Sequence, residues 1–205
     1  MRSEFYDGSK WDYYKCKKHT IFLSQAGYPL KGLYQVLRAM PLIMRLYPVT
    51  KIRVACADIT KYSTWRDKLR ISSYGKLVCR MIHQLQLENH IEFLGPLNAE
   101  QMKRDHLNCN VFVCPSPIEN SPNSLGEAQL LGVPHVASYG GGVADMMVGY
   151  EENLYRFEET EMLAEKVCKI FGNKDKQIDM SNIAIQRHNQ QENLKQLLTI
   201  YNEIK

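Results

Sequence analysis

Two carboxylates, Glu119 and Glu127, stand eight positions apart around the polar stretch Asn120-Ser121-Pro122-Asn123-Ser124-Leu125-Gly126. A carboxylate only accepts hydrogen bonds, and its two oxygens suit two adjacent hydroxyls of a sugar or a ribose. The spacing is not that of a metal pair on one helix face, so the two act as separate tools for two hydroxyl-bearing groups. The stretch follows the apolar run Val111-Phe112-Val113-Cys114 and Pro115-Ser116-Pro117, and it leads into the helix-like Glu127-Ala128-Gln129-Leu130-Leu131, closed by Gly132. A strand, a polar loop and a helix start in that order can present free backbone N–H groups to an anion. A competing account of the same residues has Glu127 supporting its helix through the dipole and Glu119 simply exposed.

Two other segments carry chemistry. Lys31 stands at a helix start, where a lone ammonium can hold a phosphate as a point charge. Gly140-Gly141-Gly142 offers no side chains to block close approach of a backbone to a ligand. Taken alone, the first is also what a solvated surface lysine looks like, and the second is also what a flexible loop looks like. Their meaning depends on the elements that position them.

Those elements alternate. Thr20–Ser24, Lys51–Ala57, Ile91–Leu94, Val111–Cys114 and Val133–Ser138 read as strands, and Asn153–Arg156 as a short edge strand. Between them lie helical patterns: Leu33 to Tyr47, the latter part of Thr60–Leu87, a short helix capped by Asn98, Glu127–Leu131, and a start at Val143. Pro41 falls inside the first and is expected to kink it or force a restart. Helical spacing then covers Thr160 to Phe171 and Leu194 to the end. Alternation without hairpin signals predicts an α/β fold with a Rossmann-like, doubly wound parallel sheet. Ligands in that architecture sit beyond the carboxyl ends of the strands. The loops Ser24–Gly32, Pro115–Glu127 and Ser138–Asp145 should therefore converge.

The bulk properties narrow the class. The chain has 205 residues, 44% of them hydrophobic and 23% charged, which suits one α/β domain with a single core. A net charge of +4, from 26 basic and 22 acidic side chains, does not argue for nucleic acid. No apolar run is long enough to span a membrane, and the start lacks the order of a signal peptide, so a cytoplasmic location is expected. Six cysteines without a Cys-x-x-Cys pair read as buried reduced thiols, and neither they nor the six histidines show metal-ligand spacing.

Pro115-Ser116-x-x-Glu119, Glu127-Ala128, Gly132-x-Pro134-x-Val136-Ala137 and Gly141-Gly142-x-x-Asp145 together resemble the donor-binding half of glycosyltransferase family 4. These are the glycosyl transferases group 1, retaining enzymes of the GT-B fold. The resemblance runs from Ser24-Gln25 to the last helix. It implies that Glu119 contacts the donor sugar near the reacting centre and that Glu127 holds the ribose hydroxyls. It implies that Lys31 neutralises the diphosphate leaving group, with backbone N–H groups of Asn123 and Ser124 completing the cradle. The loop after Phe93-Leu94-Gly95 would meet the base, and Gly141 and Gly142 would lie against the donor. The donor implied is a UDP- or GDP-sugar, with no metal and no further cofactor.

This chain departs from the pattern in three places. No arginine stands between Ile21 and Lys31, Pro122 replaces a common glycine, and Asp145 a common glutamate. The family places the acceptor on a first Rossmann-like domain. Residues 1–18 are expected to be the inter-domain connection and 19–205 the donor domain, with the acceptor domain as the missing partner. The last helix would cross back to it, and any peripheral membrane contact would run through it. The alternatives at this point are a non-catalytic nucleotide-sugar module and a fragment of a GT-B nucleotide-sugar epimerase.

Overall fold

The computed structural model describes residues 1–61, 71–173 and 180–204. Six parallel strands form one sheet: β1 Thr20–Leu23, β2 Lys51–Val54, β3 Ile91–Phe93, β4 Val111–Cys114, β5 His135–Ser138 and β6 Leu154–Tyr155. Their spatial order is β3-β2-β1-β4-β5-β6. The chain winds outward from β1 through β2 to β3, then returns to place β4 on the other side of β1. Ile21 pairs with Val111 and Phe22 with Phe112 across that central seam. The loops that leave β1 and β4 therefore run in opposite directions, which opens a crevice between them.

β1 and β4 are buried throughout because both faces of the sheet are covered. Ile21, Leu23, Val111 and Val113 face a layer built by α1 (Leu33–Leu46), α2 (Ser73–Gln84) and α6 (Thr160–Gly172). Phe22, Phe112 and Cys114 face the opposite layer. That layer contains α3 (Ala99–Asn108), α4 (Asn123–Leu130), α5 (Val143–Met146) and α7 (Ser181–Arg187). The Asn98 cap of α3 is a full capping box with Gln101.

Three expectations are corrected. Pro41 does not force a restart: α1 runs as one helix through it. A proline inside a helix costs about 3 kcal/mol, and here Val36, Leu37, Met40 and Ile43, all buried against the sheet and α6, offset it. α4 begins at Asn123, four residues before the apolar run that marked it, so Glu127 lies one turn inside the helix. The second half of β2 as read, Ala55–Ala57, has left the ladder. The polar start of the segment after Thr60 lies largely outside the described residues.

Residues 1–18 pack along α3 and α4. Phe5 is buried edge-on to His106. The Trp11 indole donates to the Cys109 carbonyl at 2.7 Å, and its backbone N–H to Leu131 at 2.8 Å. At the other end of the chain, α8 (Gln190–Glu203) keeps Leu194, Leu197, Leu198, Ile200 and Tyr201 exposed. No helix among the described residues is long and apolar enough to cross a membrane.

Candidate nucleotide-sugar site

The crevice at the β1/β4 seam holds a cavity of about 520 Å³. Lys31, Glu119, Asn123, Ser124 and Glu127 all line it. Four segments distant in sequence bring them there.

Lys31 ends a single 3-10 turn, Pro29–Lys31, and Gly32 follows with φ +70°. A Cβ at Gly32 would stand 1.9 Å from the Pro115 carbonyl oxygen. Only glycine allows the β1 loop to press that closely onto the end of β4. The contact carries the Lys31 ammonium across the seam to Glu119, 88 residues away in sequence, with an Nζ–Oε1 distance of 2.5 Å. Burial opposes the charge on Lys31. The hydrogen bond and charge of Glu119 outweigh it, and the ammonium is held above its ordinary pKa.

The triple glycine packs against the protein's own backbone. A Cβ at Gly140, Gly141 or Gly142 would come within 2.2, 2.3 or 2.0 Å of the carbonyl oxygens of Pro117, Glu119 and Asn120. Glu119 and Gly141 form an isolated parallel bridge, and the Gly142 N–H donates to the Glu119 carbonyl at 2.9 Å. Gly141 and Gly142 do not line the cavity. Their role here is to clamp the backbone that carries Glu119. Gly95 also lies off the cavity wall, with φ +77° and its N–H on the Cys56 carbonyl at 3.0 Å. Asp145 sits on α5, where its carbonyl accepts from Arg187.

Pro122 is the N-cap of α4 and gives it no side-chain cap. The first N–H groups of a helix have no partner within it, which leaves those of Asn123 and Ser124 for the cavity. Glu127 follows one turn later, on the neighbouring position of the helix surface. Its side chain is only 2% exposed.

What covers it comes from the far end of the chain. Arg2 meets Glu127 in a two-pronged pair, Nε to Oε1 at 2.8 Å and Nη2 to Oε2 at 2.7 Å. The hydrogen bonds that Arg2 donates to Glu127 raise the guanidinium pKa further, against some loss to burial. Met1 and Met102 complete this end of the cavity. A partnership across 125 residues between an unremarkable arginine and a helical glutamate leaves no local pattern to read. Among the described residues, no cluster of His, Cys, Asp or Glu is arranged to hold a metal ion.

Residues 10–187 match the family described as Glycosyl transferases group 1. The chain belongs to that family. Solved structures with the same fold include Alr3699/HepE from Anabaena in complex with UDP and glucose. It has a TM-score of 0.72 at 21% identity over 89% of this chain and 48% of that one. The sucrose-phosphate synthase of Thermosynechococcus elongatus has a TM-score of 0.72 at 18% identity, covering 92% of this chain and 46% of its own. A mutant of TarM from S. aureus, in complex with Fondaparinux, alpha-GlcNAc-glycerol and UDP, has 0.71 at 16%, covering 94% and 37%. This group 1 chain therefore spans less than half the length of these structures. It carries one Rossmann-like half of their GT-B architecture. None of the curated proteins matches it.

Proposed function

We propose that this chain is the nucleotide-sugar-binding half of a retaining glycosyltransferase that moves a sugar, of hexosyl type, from a UDP- or GDP-sugar to an acceptor such as a growing glycan. The observation that carries the reading is the convergence of Lys31, Glu119, the N-terminus of α4 and Glu127 on one cavity. The assignment follows the chemistry of each group. A diphosphate takes the Lys31 ammonium and the N–H groups of Asn123 and Ser124. Glu119, beside Lys31, takes hydroxyls of the sugar, and Glu127, a helical turn away, takes those of the ribose.

The chemistry then needs little from this half beyond charge placement. As the bond between the anomeric carbon and the diphosphate oxygen lengthens, negative charge grows on the oxygen. Lys31, held beside Glu119, and the helix start at Asn123 and Ser124 would stabilise that charge. In a retaining transfer the acceptor hydroxyl attacks from the side the diphosphate leaves. The acceptor is supplied by a second Rossmann-like domain, reached through residues 1–18, and the exposed apolar positions of α8 support its docking there. A cytoplasmic place in polysaccharide synthesis fits such a donor.

The test is calorimetric titration of UDP, GDP and ADP into this chain. One of them should bind, and Glu127→Ala should weaken it by about 1–3 kcal/mol, the worth of a hydrogen bond to a charged acceptor. Equal binding by the variant moves the ribose contact elsewhere. The absence of binding at millimolar nucleotide removes the donor reading.

A further inference from the structure

The end of the sheet opposite the cavity combines exposed apolar side chains with cations. Tyr14, Leu46 and Val49 are 84%, 69% and 67% exposed, three of the four highest values for a large apolar side chain among the described residues. Single exposed apolar residues are ordinary, whereas several at one place mark an interaction surface. These three stand on the two segments that enter β1 and β2. The Lys51 N–H donates to the His19 carbonyl at 3.0 Å, and the His19 ring packs on Tyr47 with 4.6 Å between centroids. Phe171, in the last turn of α6, packs on both rings. The two segments are thereby fixed side by side along the amino edge of the sheet.

Lys15, Lys17, Lys18, Arg45 and Lys51 are exposed on the same two segments. Lys18 donates to the Tyr13 carbonyl and lies over its ring, and Lys51 donates to the Asn89 carbonyl. Those partners are neutral, so both charges remain. The neighbouring carboxylates are engaged by other groups: Asp12 by Lys15 at 3.5 Å, Glu92 by Arg53 and Glu88 by His83. We propose that this edge docks on an anionic lipid surface. Such a surface offers negative headgroups beside hydrocarbon, so the lysine and arginine heads meet phosphates while Tyr14, Leu46 and Val49 enter the apolar boundary. A soluble polyanion would satisfy the cations alone and leave the three apolar side chains in water. None of these residues lines the cavity, which lies at the carboxyl edge and stays open when the amino edge is covered. The proposal therefore stands apart from the nucleotide-sugar reading.

The experiment is co-sedimentation of the whole chain with two kinds of vesicle, phosphatidylcholine alone and phosphatidylcholine with about one-third phosphatidylglycerol, at about 0.1 M salt. The chain should sediment with the anionic vesicles and not with the neutral ones, and less so as salt rises. Lys17→Glu combined with Lys18→Glu should weaken binding about tenfold or more. Tyr14→Ser combined with Val49→Ser should weaken it about threefold or more and leave retention on heparin unchanged. A thermal melt checks that each variant folds, and Lys15→Glu with Arg45→Glu repeats the charge test if the first pair does not. No sedimentation with anionic vesicles overturns the proposal, as does equal sedimentation with both kinds. Vesicle binding that the serine pair does not alter makes the edge a general polyanion surface and also overturns it. A failure of nucleotide binding changes none of these outcomes.

Discussion

The cavity has two ends built from the same pair of groups, a carboxylate and a cation, by opposite means. At the Lys31–Glu119 end both residues ride on loops that leave adjacent strands. The backbones of those loops are locked by contacts only glycine permits, Gly32 on Pro115 and Gly141 on Glu119. At the Arg2–Glu127 end the carboxylate is fixed inside a helix, while its cation comes from a segment laid over the domain from outside. The first end is a product of sheet topology. The second is a matter of packing.

The comparison breaks most readily at the glycine clamp. Gly141→Val combines φ +58° with a Cβ inside the Glu119 carbonyl, and it should lower stability by about 3 kcal/mol or more. The measurement is a denaturant or thermal melt. A melt within the error of wild type would mean that the clamp is not what holds Glu119.

Acid separates the two ends next. His106, which packs against Phe5, is pushed down to about 3 by burial first and the Arg2 charge second, and His135 to about 4 by burial. The unfolded chain takes up these protons near pH 6.5, whereas the folded chain resists until its lowered values are reached. Stability from these residues is therefore whole above pH 6.5 and falls between there and about pH 3. His106 alone accounts for about 2 kcal/mol at pH 5. Melts from pH 7 to 5 should show it, and a His106→Phe variant should flatten that slope. Hydrogen exchange should quicken around Phe5 before it does in residues 115–120.

The smallest effect expected is at Lys31. Lys31→Met should weaken UDP binding by about 1 kcal/mol, because the ammonium is partly exposed, and leave uridine binding unaltered. An equal loss for both ligands would place Lys31 away from the diphosphate.

How far each end could be read from sequence follows the same division. Short-range patterns are local, so β4, the Asn98 cap and the order of the motifs were legible, and with them the sheet and its carboxyl edge. Lys31, Glu119, Asn123, Ser124 and Glu127 line one cavity, as a doubly wound sheet that brings its βα loops together leads one to expect, while their separate roles rest on the family resemblance. The start of α4 was misread because Asn123 and Ser124 look like loop residues until the helix behind them is seen. The triple glycine was visible as a motif but not its purpose, since a tight contact between two loops resembles a tight contact with a ligand. Arg2 was not legible, because packing of an irregular segment has no period.

Gly32 carries a wider consequence. Its missing side chain lets the loop after β1 and the loop after β4 share one contact surface, so neither can open without the other. The mouth of the cavity is set when the sheet folds. On the proposed reading, a diphosphate there would meet a cation already placed at the seam, and little entropy would remain to be lost on that side.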